Sequence, residues 1–520
     1  MKQWIAVLLT LTLLLTPMTA TAQEQSTQPQ PIVPILVGDV NGDGKIGADD
    51  ALAVLCYITH RHPPQFPVEE ESPTDVTAKP SKPTIDKTIA NVDDDENITA
   101  TDALYILKRV VGKIDRFPAE PMTEELENKE IWLQSVWAEE YDSQSGSLLA
   151  AKLQQMQADH GTAFRVEALE ASQATETIVK NALAGIPQAD VVEVSLVMAR
   201  NIYRAGGSLN LIDAPLRRRL KANGSTQSVT INNHLAGVSL NTTQTMLGVV
   251  YNKDLIAKYA PDVDIASLVA TNQWNFDAFR SLSASLITDT DGNSKTDIYG
   301  FTSNTNVSGM ACAANVGGTA LLKNGRVEAS FCSQAGVDAL EWCKAMFRTD
   351  KSWLYKADIN NCINQFVNGK AGMFLSYTRF VPQIAEAADF EIGFAPMPMG
   401  PQQSNYINAV YDTRVYVIPK NSAASVNKVC AFLEQMMPLE DEVLANVQQE
   451  WTALGLDEQS IQNYKNLAKN SSAEFSSGVF SSAVTSEFDV YISGTPTKNW
   501  ETIRAKAQKE ADDYYAPFYE

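Results

Sequence analysis

Cysteine and histidine are scarce, and those present are badly placed for metal or redox chemistry. The 520 residues hold six cysteines (Cys56, Cys312, Cys332, Cys343, Cys362, Cys430) and four histidines (His60, His62, His160, His234). No two cysteines form a CxxC pair and the histidines are scattered, which excludes a zinc finger, a dithiol redox motif and a histidine metal centre. Spacing alone does not pair the cysteines, so disulfides stay open. Positive charge is also short: 41 Lys and Arg stand against 62 Asp and Glu, a net of -21. Such a chain repels phosphates, which excludes nucleic acid as a partner and favours the use of cations. Beyond the N-terminus no apolar run is long enough to cross a membrane. Equally missing are a Ser-His-Asp order, a phosphate-cradling glycine loop and a catalytic metal spacing.

What is present begins with an export signal over residues 1–22. Lys2 precedes an apolar run at 5–15, and Ala20-Thr-Ala22 supplies small residues for cleavage, so the mature chain is expected to start at Gln23 and to be secreted. A short linker at 23–37 follows. The length allows two or three domains.

Two twelve-residue stretches then repeat oxygen side chains at positions 1, 3, 5 and 12. They are Asp39-Val-Asn-Gly-Asp-Gly-Lys-Ile-Gly-Ala-Asp-Asp50 and Asn91-Val-Asp-Asp-Asp-Glu-Asn-Ile-Thr-Ala-Thr-Asp102. A hard divalent cation needs six to eight oxygens, and acceptors on alternate residues of a tight loop supply them, with a backbone carbonyl from position 7. The first ion is therefore expected on Asp39, Asn41, Asp43, Asp50 and the carbonyl of Lys45. The second set is Asn91, Asp93, Asp95, Asp102 and the carbonyl of Asn97. A shift of 52 residues carries Asp50 onto Asp102 and Ala51-Leu-Ala-Val-Leu55 onto Ala103-Leu-Tyr-Ile-Leu107. Each loop runs into a single apolar helix. On these features residues 38–118 resemble a type I dockerin, a small all-α module of paired EF-hand-like calcium loops that plugs secreted proteins into the cohesin domains of a scaffoldin. The resemblance places cohesin contacts on Ala48, Asp49, Ala100, Thr101, Lys108 and Arg109. Glu96 stands where the turn prefers glycine and Asn91 replaces the usual Asp, so the second loop is expected to hold Ca2+ more weakly. A proline-rich, acidic stretch at 61–90 reads as a solvated insertion between the copies, and 119–127, with Pro121 and acidic residues, as a linker.

From residue 128 onward the pattern alternates between β and α. Ile131-Trp-Leu-Gln-Ser-Val136 predicts a strand, 148–157 a helix, 164–168 a strand, 174–184 a helix and Ala189-Asp-Val-Val-Glu-Val194 a buried strand. That order predicts a parallel α/β sheet. Val250-Tyr-Asn-Lys-Asp-Leu255, Trp274-Asn-Phe-Asp-Ala-Phe279, Asp289-Thr-Asp-Gly-Asn-Ser-Lys-Thr-Asp-Ile-Tyr-Gly-Phe301, Gly317-Gly318, Phe366-Val-Asn-Gly-Lys-Ala-Gly-Met-Phe374 and Phe394-Ala-Pro-Met-Pro-Met-Gly400 follow in order. Together they resemble the family 1 extracellular solute-binding proteins, the sugar receptors of ABC importers. The resemblance implies an α/β, two-lobed, periplasmic-binding-protein-like fold of type II over 128–520, with ligand held between the lobes. Trp274 reads as a core anchor. Asp289, Asp291, Asn293, Lys295 and Asp297 imitate a calcium loop, but position 12 is Gly300, which favours an Asx-rich turn.

Open α/β sheets place ligands at the carboxyl ends of their strands, and sugars are held by aromatic faces and planar polar groups. The expected contacts are Trp137, Tyr141, Ser195, Asn241 and Thr242 from one lobe, with Tyr377, Tyr411, Asp412 and Arg414 from the other lobe. The rival readings are a cellulosomal glycoside hydrolase, which needs two carboxyl groups about 5–9.5 Å apart, and a non-catalytic adhesion subunit. Receptor-like landmarks fill the large domain and leave no room for a catalyst, so no enzymatic activity is expected. The first cysteine, Cys56, lies far from the cleavage site and offers no lipid anchor there. The dockerin is therefore expected to hold the receptor at a cell-surface scaffold.

Overall fold

The computed structural model describes residues 36–59, 85–93, 97–114, 116–120, 122–220, 224–240, 246–304, 307–410, 413–493 and 500–520. The signal segment, most of the proline-rich insertion, and Asp95, Asn241, Thr242, Tyr411 and Asp412 lie outside them. The chain divides into two compact units, one of Met1–Val92 and Asn97–Phe117, the other of Asp93–Glu96 and Pro118–Glu520. Among the described residues no helix is long and apolar enough to cross a membrane.

The first unit is built on the repeat. Helices Ala48–Thr59 and Ala100–Val110 pack through Ala51, Val54, Ala103 and Ile106, all buried. The second helix starts in a capping box: Thr99 accepts from Thr101 N, while the Asp102 carboxylate takes Thr99 N at 2.8 Å, satisfying N–H groups that a helix start leaves open. The end of the expected insertion is structured instead. Helix Lys87–Ala90 buries Ala90, and Ile89 O accepts from Gly38 N at 2.9 Å, so an apolar anchor rather than solvated chain precedes the second loop. Gly38 has φ +90, and a Cβ there would stand 2.5 Å from the Phe117 ring. Only glycine fits, and the two ends of the unit close on each other.

The second unit has two sheets. In the first the strand order is Arg414–Val417, Val191–Ser195, Glu130–Ser135, Ala163–Ala168; the last three run parallel and Arg414–Val417 is antiparallel. This is the arrangement predicted by the alternating apolar pattern, with helices Leu148–His160 and Ala174–Ala184 as the crossovers. The second sheet is ordered Trp353–Tyr355, Tyr299–Ser303, Ala371–Tyr377, Leu247–Asn252, Ile392–Pro396, with Leu247–Asn252 antiparallel to its neighbours. Each sheet has its own apolar core. Trp274 is fully buried in the second, its indole N–H donating to Pro396 O at 2.9 Å. Met122 and Leu126 are buried in the first core, so the stretch expected as a linker is folded into the large unit by its apolar side chains.

The chain passes from first lobe to second between Val238 and Leu247, and returns between Val410 and Arg414. Val238 bridges Tyr416, the Ser239 and Thr413 hydroxyls lie 2.8 Å apart, and Leu247 N donates to Asn408 Oδ1 at 3.0 Å. Helix Leu439–Ala453 makes a further passage, with Leu439 in the first core and Trp451 in a satellite cluster beside the second sheet. All six cysteines are buried and none forms a disulfide.

Candidate functional site

Pairing of Ser195 with Arg414 and of Tyr377 with Leu247 sets the geometry. Each pair joins a strand's carboxyl end to a residue next to a passage between lobes. The carboxyl edges of both sheets therefore border the passages, where an open α/β sheet receives its ligand.

On the first lobe Trp137 follows strand Glu130–Ser135 and opens a short 3-10 helix, Ala138–Tyr141. Its backbone N–H donates to Ser135 Oγ at 2.9 Å, and Ser135 Oγ donates to the buried Glu193 at 2.5 Å. Arg414 stands over the Trp137 ring, 4.4 Å from its centroid, and donates to both Glu140 oxygens at 2.9 and 2.5 Å. Its Nη1 is also 3.8 Å from Glu193 Oε1. Burial raises the Glu193 carboxyl above its ordinary range, against the pull of Arg414. Burial likewise works against the Arg414 charge, but hydrogen bonds to Glu140 and the Glu193 field hold its pKa above the usual value. The indole is thus a partly exposed ring backed by a neutralised cation.

Two neighbours have other duties. Tyr141 is buried and its hydroxyl meets the Tyr416 hydroxyl at 2.7 Å, with burial pushing its pKa up. It braces the site from beneath and does not face a ligand. Ser195 accepts from Met198 N at 3.4 Å and caps helix Leu196–Arg204. Arg414, expected on the other lobe, lies on the first one, because its strand pairs antiparallel with Val191–Ser195, and there it acts as the support of the Trp137 ring.

The second lobe repeats the theme. Tyr377 ends strand Ala371–Tyr377, and the Arg379 guanidinium lies 5.1 Å from its ring centroid. Sequence reasoning missed Arg379, although a basic residue two positions past an aromatic strand end was the available signal. Asp289, Asp291 and Asp297 come together within 4.8 Å. Their carboxylates also bond their own loop, Asp289 accepting from Gly292 N and Ser294 N at 2.8 and 2.7 Å and Asp297 from Thr290 N at 2.8 Å, as an Asx-rich turn does.

In the first unit Asp50 accepts from Val40 N, Asn41 N and Gly47 N at 2.7, 3.0 and 2.7 Å. Asp102 reproduces the pattern with Val92 N and Thr99 N at 2.9 and 2.8 Å, so the duplication extends to hydrogen bonds. Asp39 accepts from Asp43 N and Gly44 N, and Asp43 from Lys45 N. Gly42 and Gly44, at φ 74 and 84, give the loop its turn. All side-chain donors to a cation here are oxygens, as a hard divalent ion requires. Asp93 is buried and belongs by its contacts to the larger unit. Ala48, Asp49, Ala100 and Thr101 are exposed at the helix starts, while Lys108 and Arg109 are half-buried over the Tyr105 and Phe117 rings. Leu52 and Leu55, and their 52-residue equivalents Leu104 and Leu107, are exposed; the repeat alone did not show which leucines face out.

A receptor of two α/β lobes with a small duplicated helical module is the class these features define. The chain belongs to the bacterial extracellular solute-binding protein family, whose model matches residues 139–449, and carries a dockerin type I domain at 37–111. The family consists of binding proteins, not enzymes. Solved structures of similar fold include M. tuberculosis UspC, 17% identical over 73% of this chain and 100% of that one (TM-score 0.54). The cyclic α-maltosyl-1,6-maltose binding protein of Arthrobacter globiformis is 16% identical over 74% of this chain and 98% of its own (TM-score 0.54). A cyclo/maltodextrin-binding protein complexed with maltotetraose is 12% identical over 75% and 97% (TM-score 0.51). These likenesses establish the fold. No curated protein matches the chain in sequence.

Proposed function

We propose that this protein captures an oligosaccharide between its lobes for uptake by an ABC importer and is tethered outside the cell, through two calcium-clasped loops and a cohesin, to a scaffold. The observation that carries the reading is the pair of arginine-backed rings, Trp137 with Arg414 and Tyr377 with Arg379, at the carboxyl edges of the two sheets. Flat aromatic faces cover the C–H patches of a pyranose. Contacts from the second lobe form only on closure, so ligand shifts the open-closed equilibrium by its differential affinity. The names of similar structures, which include binders of maltotetraose and cyclic maltosyl-maltose, support a glucan-like solute. Binding without turnover fits the carboxylates beside Trp137, because Glu140 is held by Arg414 and Glu193 is buried.

For the tether, Asp39, Asn41, Asp43, Asp50 and the Lys45 carbonyl would hold one Ca2+, with Asn91, Asp93, Asp95, Asp102 and the Asn97 carbonyl for the other. The ion would neutralise the buried Asp50 carboxylate and fix the helix starts that carry Ala48 and Asp49. Leu52, Leu55, Leu104 and Leu107 would add an apolar surface to the cohesin contacts. Calorimetry with maltodextrins, followed by chromatography of the same mixture, tests the receptor reading: saturable binding with unaltered sugar is expected, and sugar cleavage or no binding would refute it.

A further inference from the structure

The structure assigns a second, neutral-sugar pocket to the second lobe, lined by none of the residues of the proposed cleft. It is a cavity of about 230 Å³ between the end of helix Ile265–Ala270, the segment after strand Ile392–Pro396, and helix Glu458–Lys469. That volume falls below the roughly 300–1,000 Å³ of drug-sized sites and suits a single sugar unit.

The lining decides the chemistry. Val269, Pro396 and Leu467 form an apolar floor, with Tyr406 beside them. Every other side chain but Ala270 is a primary amide, and none is charged, in a chain of net charge -21. An ionic ligand would find no counter-charge. A primary amide offers two N–H donors and an acceptor carbonyl, which matches hydroxyls that both donate and accept.

Of the six amides, Asn466 accepts from Gln462 Nε2 at 2.8 Å on its own helix, and the other five fall into two groups. Asn463 donates to Phe394 O at 2.9 Å and accepts from Gln459 Nε2 at 2.9 Å, so the inner wall is fixed by the fold. Asn272, Asn405 and Asn470 lie exposed around the cavity, and among the described residues their side chains make no hydrogen bond. Asn272 takes a left-handed backbone, φ 55, a conformation asparagine accepts more readily than most residues. The result is an apolar floor with unspent amide groups above it, drawn from three separated segments.

The test uses saturation-transfer NMR on the full chain carrying Trp137→Ala, with D-glucose as neutral probe and D-glucuronate as its charged counterpart. Adding Asn466→Trp, an exposed position whose indole would fill the cavity, is expected to weaken the glucose signal at least fivefold. Asn405→Lys should do the same, and covers the case in which the tryptophan variant does not fold. Glucuronate should give a weaker signal than glucose. Equal glucose signals with and without the pocket substitutions, no glucose signal at all, or glucuronate as strong as glucose would overturn the assignment. Failure of the cleft reading shows separately, as oligosaccharide affinity unmoved by Trp137→Ala.

Discussion

Arg414 covers the ring of Trp137 at 4.4 Å while gripping Glu140 with both terminal nitrogens. One residue therefore positions the aromatic face and neutralises the acids around it. Arg414→Met would leave Glu193, buried beneath, without its cation. Breaking a buried pair by removing one partner costs about 3–5 kcal/mol. Urea denaturation at neutral pH measures it, and a midpoint equal to wild type would show that the contact is idle.

Trp137→Ala should weaken maltodextrin binding at least tenfold, which is about 1.4 kcal/mol. Tyr141→Phe should behave differently: it removes the hydroxyl that meets Tyr416 at 2.7 Å inside the lobe and costs roughly 0.5–1.5 kcal/mol of stability, with affinity nearly unchanged. Titration calorimetry beside thermal melting separates the two. If Tyr141→Phe lost affinity without stability, its placement as a brace would be mistaken.

Calcium removal should act on one unit. Chelator, or Asp50→Ala, takes away the charge or the ligand on which the first loop closes, and clustered carboxylates then repel. Differential scanning calorimetry should show the transition of the small unit lost or lowered, with the large one unmoved. A joint shift of both would argue against independent units.

A pH effect follows from Glu474, buried and accepting from Thr319 N, Ala320 N and Ser476 N at 2.5, 2.9 and 2.8 Å. Burial outweighs these bonds and raises its pKa above the ordinary 4.5. The folded chain then holds the proton more tightly than the unfolded one, so this group's contribution is full below about 4.5 and is lost as pH rises through the raised value. Glu474→Gln should flatten the decline in melting temperature above pH 4.5. Parallel slopes for the two proteins would remove Glu474 as the source.

Much of this was legible in sequence because it is periodic or local. Alternating strands and helices gave the first sheet, and oxygen spacing gave loops whose hydrogen bonds repeat at the same interval. Trp274 was readable as core since a large aromatic opening an amphipathic helix has few other uses. Tyr141 was misplaced for the opposite reason: an aromatic after a strand looks alike whether it faces a cleft or a partner, and its partner Tyr416 lies 275 residues away. The amide pocket was invisible, because Asn272, Asn405 and Asn470 share no local spacing.

Six thiols sealed inside a fold without a single disulfide carry a consequence for how this chain is made. Its thiols take no part in closing the fold, so maturation asks for no oxidant and no thiol-shuffling helper. Oxygen-free surroundings would suit it as well as aerated ones, and reductant should leave its melting curve where it was.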